Sequence, residues 1–369
     1  MTNIPTKMSV VLTTGHGGFE VLEFRNDVEV PRPDSDQVLI KVLGAGINNT
    51  DINTRTAWYS KSVTGETGVG GAEGFDDAKN DDGSWSGTPL SFPIIQGADC
   101  CGEIVAVGNQ IDRSRIGERV LVRTMQQYAV DYQPFECWTL GSECDGAFAQ
   151  YMLAYSNESY KIESDWSDVE LASIPCAYST AENLLERSNV SKGETVLITG
   201  SSGGVGSAAI QLAKRRGAKV IGIAGKDKIA GVEAIGADIV ISREENLGSI
   251  LGSESVDVVI DLVAGSQWGE LLEVLKKGAR YAAAGAIAGP IVELDVRTLY
   301  LKDLTLMGCT FQDSRVFENL IGYIERNEIK PLVAKVYPLE EIVQAQKDFL
   351  NKKHIGKLVL VPNQNNLCN

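Results

Sequence analysis

The sequence contains very little histidine: only His16 and His354 occur among its 369 residues. Because many zinc sites and Ser-His-Asp triads draw on histidine, this scarcity disfavours His-rich metal sites and much hydrolase chemistry. The seven cysteines form no C-x-x-C pair, and the first residues show no basic segment followed by a long apolar core. These absences predict reduced thiols and a cytoplasmic protein.

Positive charge and long apolar runs are also scarce. Lysine and arginine total 34 against 49 aspartate and glutamate residues, which gives a formal net charge of −15. Such a chain repels nucleic acid phosphates and anionic lipid surfaces, so neither is an expected partner. The longest stretch of low polarity, at 281–292, is shorter than the roughly 20 residues that a membrane span needs. We therefore expect a small-molecule ligand.

Two kinds of pattern divide the chain. Before residue 60, short alternating runs broken by glycine and proline are typical of a β-rich unit. From about residue 172, helical patterns alternate with apolar strands, which is the order of βαβ units in a parallel sheet of six strands. Residues 62–92 and 126–145 show no sustained periodicity, so we predict irregular loops there.

The strongest local signal is the segment TVLITGSSGGVGSAAIQLAKRRG at 195–217. An apolar strand ends at Gly200 and a helix opens near Gly206, with glycines in a G-x-x-G-x-x-G spacing. Glycine allows a tight turn and close approach of a pyrophosphate to backbone N–H groups at a helix N-terminus. The segment therefore predicts a dinucleotide site, with a glycine-rich helix start that merely packs as the alternative.

The residues after the second strand of this unit favour NADP(H) over NAD(H). An NAD site would place an acid at the strand end to bind the ribose hydroxyls, whereas residues 224–228 read AGKDK. Lys226 and Lys228 would attract a 2′-phosphate, and Arg243 after the third strand would add to that attraction. The alternative is that both lysines are solvated surface charges and that Asp227 binds the ribose.

The ordered motifs GADCCGEIVAVG, DGAFAQYM, IPCAYSTAENLLER and GSSGGVGSA resemble those of the medium-chain dehydrogenase/reductase superfamily. NNTDINTRTAWYS and HIGKLVLVP make the chain most similar to its zinc-free, quinone oxidoreductase-like (zeta-crystallin-like) branch. The resemblance implies an α/β fold with a GroES-like, β-rich catalytic domain at 1–158, completed by 311–369. It also implies a Rossmann NADP-binding domain with a doubly wound parallel sheet at 159–310, and a cleft where nicotinamide meets substrate.

The same resemblance implies a set of cofactor contacts. Thr180 would contact the nicotinamide amide. Lys357 would be an additional contact, with an exposed lysine at a strand edge as the alternative reading. The residues expected to cradle the pyrophosphate or to line the adenosine and nicotinamide path are Ser202, Gly203, Gly204, Val205, Val263, Ala286 and Ile287.

Alcohol dehydrogenases of the superfamily hold a catalytic zinc at three positions that read Asn48, Ala98 and Cys176 here. Only Cys176 is a good zinc ligand, so we predict that no metal is bound. Asp51 and Asp99 remain at the acidic positions beside that site. A rearranged carboxylate site is therefore the alternative.

Without zinc, a carbonyl acceptor must be polarised by hydrogen-bond donors and protonated by a side chain, a water or the cofactor ribose. Related enoyl thioester reductases use a tyrosine as the proposed proton donor, and the spacing from Asn49-Thr50-Asp51 to Tyr59 matches theirs. Tyr59 is thus the leading catalytic candidate, with a pocket wall as its alternative role. Asn48 and Asp51 complete the predicted catalytic group, although an asparagine after a strand often serves only local backbone hydrogen bonds.

Taken together, these features predict an NADPH-dependent, zinc-independent oxidoreductase that transfers hydride to a quinone or an α,β-unsaturated carbonyl compound. The segment at 299–310 resembles the edge strand through which superfamily members dimerise, so a homodimer is expected. Two alternatives stay open: an alcohol dehydrogenase or ketone reductase of the same superfamily, and a non-catalytic NADPH-binding protein.

Overall fold

The structure, a computed structural model, describes residues 4–79 and 82–362, and the first part of the chain is built mainly of strands. In chain order the strands are β1 (Lys7–Thr13), β2 (Leu22–Glu29), β3 (Gln37–Gly46), β4 (Ile94–Ile95), β5 (Cys100–Val107), β6 (Arg119–Val122), β7 (Met125–Gln126), β8 (Trp138–Thr139), β9 (Tyr151–Tyr155) and β10 (Ser159–Lys161). Helix α1 (Asn49–Arg55) follows β3 almost directly.

Helices and strands alternate in the second part. Its elements are α2 (Asp168–Leu171), α3 (Pro175–Arg187), β11 (Thr195–Ile198), α4 (Gly204–Arg215), β12 (Lys219–Ala224), α5 (Ile229–Ile235), β13 (Ile239–Ser242), α6 (Leu247–Leu251), β14 (Val256–Asp261), α7 (Trp268–Val274), β15 (Leu275–Ala283), α8 (Val296–Leu301), β16 (Thr305–Gly308) and α9 (Ser314–Glu325). The chain continues through β17 (Val333–Pro338), α10 (Ile342–Leu350) and β18 (Lys357–Val361).

Strands β11–β16 form the predicted six-stranded parallel sheet, in the order β13-β12-β11-β14-β15-β16. Val196, Leu197 and Ile198 in β11 are all fully buried, as are Val258, Val259 and Ile260 in β14. Such continuous apolar strands are stable only when helices cover both faces of a sheet. The α/β fold class with a Rossmann-type sheet is confirmed.

The β-rich part contains a larger sheet in the order β10-β6-β5-β3-β18-β17, with β9 also paired to β3, and a smaller sheet in the order β2-β1-β4. Strand β18 pairs antiparallel with β3, so that Val359 lies opposite Gly46. This pairing supports our proposal that the segment after the Rossmann sheet returns to the first domain.

Two elements lie across the domain limits expected from the sequence. Strand β10 pairs with β6 of the first sheet, beyond the expected limit at residue 158. Phe317, Leu320 and Ile324 of α9 are buried in the core beneath the Rossmann sheet, although 311–369 was assigned to the first domain. An amphipathic helix such as α9 packs its apolar face against the hydrophobic core that lies next to it in the folded chain. We propose a first domain that runs through β10, and a second that includes α9.

The loop at 62–92 contains neither helix nor strand in its described residues. It is nevertheless tied to the first domain by the fully buried guanidinium of Arg55. That group donates to the carbonyl oxygens of Gly17 (2.7 Å) and Gly71 (2.6 Å) and to Gln346 Oε1 (3.0 Å). Within the described ranges of the whole chain, no helix is long and apolar enough to cross a bilayer.

Candidate active site

The predicted pyrophosphate turn connects β11 to α4. Gly200 has a φ of +57°, which favours glycine because a side chain is strained there. A Cβ atom on Gly206 would lie only 2.3 Å from the carbonyl oxygen of Gly200. Ser202, Gly203, Gly204 and Val205 all lie on this turn or at the start of α4. The turn thus leaves room for backbone N–H groups to face an anion at the N-terminus of a twelve-residue helix.

Basic residues gather beyond the carboxyl end of β12. Arg243, which follows β13, contributes to lowering the pKa of both Lys228 and Lys352, although desolvation is the larger cause in each case. The Lys228 ammonium donates to the carbonyl oxygens of Lys352 and His354, the latter at 2.9 Å. Lys226 is exposed on the preceding turn. We call Lys228, Arg243 and Lys352 the basic cluster.

Sequence reasoning missed Lys352 because it comes from the far end of the chain and reaches the Rossmann edge only through the fold. Desolvation is the main cause of the lowered pKa of Lys228 and Lys352, and the positive charge of Arg243 lowers both further. An anion placed among them would relieve their repulsion.

On the other side of β11, at the same carboxyl edge of the sheet, Asp261 organises the loop after β14. Its carboxylate accepts hydrogen bonds from the backbone N–H of Val263 (2.9 Å), from Thr199 Oγ1 (2.6 Å) and from the Tyr281 hydroxyl. The loop after β15 lies alongside, since the N–H of Ala288 donates to the carbonyl of Val263 at 2.9 Å. This places the predicted cofactor-path residues Val263, Ala286 and Ile287 on adjoining loops at the carboxyl edge of the sheet. Asp261 was not predicted, because an acid at the end of an apolar strand carries no local signal of its partners.

Asn48 and Asp51 form the start of α1. The backbone N–H of Asn48 donates to Asp51 Oδ2 at 2.7 Å, and the N–H of Ala98 donates to Asp51 Oδ1 at 3.3 Å. Asp51 is almost completely buried, and desolvation raises its pKa from 3.8 to about 7, with the nearby Asp99 adding to the rise. A carboxyl group at this position therefore changes its charge near neutral pH.

A buried ion pair lies beside that carboxyl group. The Lys357 ammonium is 2.8 Å from Asp99 Oδ2, and the two side chains are 3% and 0% exposed. Both also bond to Asn48, whose Oδ1 accepts from Lys357 and whose Nδ2 donates to Asp99 at 2.8 Å. Both polar atoms of the Asn48 amide thus have a partner inside the protein. Lys357, suggested from the sequence as a cofactor contact, lies at the same centre.

The Tyr59 hydroxyl bonds to the helix that begins at this centre. It donates to Thr50 Oγ1 at 3.2 Å, and burial raises the pKa of the phenol to about 12, with a small further rise from Cys176. The ring lies between Trp58 and Trp85, with centroid distances of 5.8 and 6.3 Å. Trp85 belongs to the loop at 62–92, so that loop contributes to the wall around Tyr59.

The predicted nicotinamide contact Thr180 lies one turn into α3 from Cys176. Its hydroxyl donates to the Cys176 carbonyl at 2.7 Å. Burial and the neighbouring Asp99 raise the pKa of the Cys176 thiol, which disfavours the thiolate that a metal requires.

The residues present do not fit a catalytic zinc ion. The three positions used in alcohol dehydrogenases hold an amide engaged on all sides, a methyl group and a protonated thiol, and the Lys357 cation lies beside them. Across 4–79 and 82–362, no group of three or more His, Cys, Asp or Glu side chains is arranged to hold a metal ion. Asp51 and Asp99, the alternative carboxylate ligands, instead accept hydrogen bonds from the protein.

A cavity of about 590 Å³ lies between the loop at 62–92 and the second domain. Thr64, Gly65 and Glu66 form one wall, and residues of the loops after β14 and β15 form the other. The two walls are joined because the N–H of Thr67 donates to the carbonyl of Ile287 at 3.1 Å. A small organic molecule fits a space of this size.

A GroES-like β domain joined to a Rossmann sheet, with a glycine turn facing a cleft, defines a nicotinamide-dependent oxidoreductase fold. Family models agree: residues 34–164 match the alcohol dehydrogenase GroES-like domain, and residues 204–326 match the zinc-binding dehydrogenase domain. The chain belongs to the medium-chain dehydrogenase/reductase superfamily, in its quinone oxidoreductase-like branch.

Individual relatives carry several names. Quinone oxidoreductase of Lama guanicoe is 29% identical over 96% of this chain and 97% of its own length. Acryloyl-coenzyme A reductase of Metallosphaera sedula is 28% identical over 96% of this chain and 99% of its own length. A solved structure of a candidate alcohol dehydrogenase from Sinorhizobium meliloti 1021 is 42% identical, with a TM-score of 0.87 over 98% of this chain and 99% of that one. These similarities establish an oxidoreductase of this superfamily.

Proposed function

We propose that the protein is an NADPH-dependent reductase that transfers hydride to a quinone or an α,β-unsaturated carbonyl compound without a zinc ion. The observation that supports the proposal is the Tyr59 hydroxyl, which bonds to Thr50 of the helix that begins beside the Asp99–Lys357 pair. Because burial raises its pKa to about 12, this phenol stays protonated at neutral pH and is available as a donor.

The basic cluster supports NADPH as the cofactor. Lys228, Arg243 and Lys352 lie beyond β12, where the second ribose of a bound dinucleotide would lie in this fold. A 2′-phosphate would be attracted there, whereas the uncharged hydroxyl of NADH would gain little. Asp227 remains the candidate ribose ligand if the preference is for NADH.

Bound NADPH would supply the hydride. The glycine turn and the N-terminus of α4 would hold the pyrophosphate, while the loops after β14 and β15 would fix the nicotinamide end. Addition of hydride to the β carbon leaves negative charge on the carbonyl oxygen. On substrate binding, the single Tyr59 O–H would turn from Thr50 Oγ1 to that oxygen, stabilise its charge and pass it the proton, while the Thr50 hydroxyl would donate to the Tyr59 oxygen. Solvent would then reprotonate the phenolate.

The deciding experiment follows the loss of reduced-nicotinamide absorbance with quinones, enones, enals and saturated ketones, with a chelator present. We expect turnover of quinones or enones with a clear preference for NADPH over NADH. Loss of turnover on chelation, or one tightly bound zinc per purified chain, would contradict zinc independence.

The same assay separates the two alternatives. The 42% identity to a candidate alcohol dehydrogenase favours ketone reduction as the second function, and activity confined to saturated ketones would establish it. Tight NADPH binding without turnover of any acceptor would establish a binding protein.

We further propose a cytoplasmic homodimer that forms through the free side of β16. Among the described strands, β16 pairs only with β15 and so ends the sheet. The adjoining α8 exposes Val296, Tyr300 and Leu301, with 58–64% of each residue's surface accessible to solvent. Apolar side chains in such a patch commonly mark an interface. Light scattering should give twice the chain mass, and Leu301→Glu should lower it.

A further inference from the structure

We propose that Lys357 is a positioning residue that joins the substrate side of the centre to the pyrophosphate turn, in place of a metal ion. The inference rests on the proposed reductase function. It deepens that function by assigning a role to a residue that does not touch the reacting atoms.

The ammonium group has no donor left for a ligand. Its three hydrogens are directed to the carbonyl oxygen of Ile47 (2.8 Å), to Asn48 Oδ1 and to Asp99 Oδ2 (2.8 Å). With 3% of its surface exposed, Lys357 is held by these bonds in one place. Its charge acts through the groups that it orients.

The partners of Lys357 belong to parts of the chain that are distant in sequence. Asp99, immediately before β5, uses its second oxygen to accept from the N–H of Cys176 in α3 at 2.6 Å. Asn48 precedes α1, which carries the Thr50 partner of Tyr59. The ion pair therefore fixes α1 and α3 relative to each other.

The aliphatic part of Lys357 reaches the cofactor side. A Cβ atom on Gly204, the first residue of α4, would lie 2.7 Å from Cδ of Lys357. The side chain thus packs beneath the turn expected to hold the pyrophosphate. One lysine contacts both the catalytic centre and the cofactor turn.

Removing the ammonium should therefore change binding and catalysis together. Lys357→Met keeps most of the stem but leaves Asp99 buried without its cation and Asn48 Oδ1 without a donor. We expect at least a tenfold fall in kcat and weaker NADPH binding. Lys357→Arg, which restores the positive charge with a different shape, should recover part of the loss.

The pH dependence of kcat provides a readout that a loss of stability alone would not change. The groups around this centre that carry or gain charge are Asp51, Asp99, Cys176 and Lys357 itself. Because the Lys357 cation lowers the pKa of Asp51, its removal should shift any Asp51-dependent limb of the kcat profile to higher pH.

The experiment compares wild type, Lys357→Met, Lys357→Arg and the double variant Lys357→Met with Asp99→Asn. Lys277→Met, an exposed lysine changed in the same way, is the matched control. The double variant removes both charges, so it avoids an unpaired buried carboxylate if Lys357→Met fails to fold. Circular dichroism checks folding, and cofactor fluorescence measures NADPH affinity separately from turnover.

Impaired kcat and NADPH affinity in the double variant, with a wild-type response in the control, would support the proposal. If kcat and NADPH affinity in the double variant both recover to within twofold of wild type, the proposal is overturned. The effect of Lys357→Met would then come only from leaving Asp99 without a counter-ion. If wild type reduces no acceptor, the proposed function fails. NADPH affinity would still test Lys357 in that case.

Discussion

The hydroxyl of Tyr59 lies 3.2 Å from Oγ1 of Thr50, to which it donates a hydrogen bond. Thr50 lies in α1, the short helix that begins beside the buried ion pair, and Tyr59 follows the end of that helix. The position of the Tyr59 hydroxyl is therefore set by the same helix that begins beside the charged centre.

Replacing Tyr59 by phenylalanine should lower kcat by about 100-fold, since general acid catalysis typically contributes 10²- to 10⁴-fold. NADPH affinity should stay within twofold, because the cofactor turn lies on other elements. Stopped-flow hydride transfer and cofactor fluorescence measure the two quantities. Tyr132→Phe, on an exposed tyrosine, is the control, and unchanged turnover in Tyr59→Phe would assign Tyr59 to the pocket wall.

The basic cluster should set the cofactor preference. Arg243→Ala and Lys352→Ala should each weaken NADPH binding about tenfold, corresponding to roughly 1.4 kcal/mol, because a charge-assisted contact to phosphate is lost. NADH binding should hardly change. Titration of both cofactors by fluorescence, with Lys277→Ala as the control, checks this expectation. Equal losses for the two cofactors would show that the cluster does not recognise the 2′-phosphate.

Arg55 should anchor the loop at 62–92. Arg55→Met removes a buried guanidinium and leaves two carbonyls and the Gln346 amide oxygen without their donor. We expect a fall of about 3 kcal/mol in the free energy of unfolding and faster proteolysis within the loop. Urea unfolding and timed digestion give the two readouts. Arg32→Met, at an exposed arginine, is the control and should change neither the free energy of unfolding nor the rate of digestion. If the loop in Arg55→Met is digested as slowly as in wild type, Arg55 does not anchor it.

Asp51 should give the protein a pH-dependent stability of defined sign. Its pKa is about 7 in the folded protein against an ordinary value of 3.8, so between these values the folded protein binds more protons than the unfolded chain. The contribution to stability is full below the unfolded pKa and is lost as pH rises through about 7. The advantage of wild type over Asp51→Asn should therefore shrink between about pH 4 and about pH 7.

His354 titrates in the opposite sense, because burial lowers its pKa from 6.5 to about 4. It adds stability as pH rises between these two values, so the comparison must be made between wild type and Asp51→Asn and not on wild type alone. Chemical unfolding at several pH values measures the difference. If the free energies of unfolding of wild type and Asp51→Asn change in parallel with pH, Asp51 keeps an ordinary pKa.

The sequence was sufficient for the elements that are decided locally. Strands β11 and β12, the glycine turn and α4 follow from apolar runs and glycine spacing, and each lies within a few residues of its predicted position. A domain limit at residue 310 separates α9 from the core beneath the Rossmann sheet, in which its apolar residues are buried. The apolar face of this helix could pack on either unit, and only the folded surfaces decide between them.

In the candidate site, too, some features could be predicted from the local sequence and others depend on the assembled fold. The resemblance pointed to Asn48, Asp51, Tyr59 and Lys357, and the fold brings their segments together. Their partners could not be predicted, because the Lys357 ammonium and the carbonyl of Ile47 are 310 positions apart in sequence. Lys352 and Asp261 were missed for the same reason, since their surroundings exist only after the strands have assembled.

The pairing of β18 with β3 also constrains the order of folding during synthesis. Until residues 357–361 emerge from the ribosome, Ala45 and Gly46 at the end of β3 have no strand opposite them on that side, and the carboxylate of Asp99 has no counter-ion. The Rossmann sheet, whose strands β11–β16 are complete earlier, can form first. We therefore expect the N-terminal part of the nascent chain to complete its folding only late in translation, with the end of β3 at Ala45 and Gly46 unpaired until then.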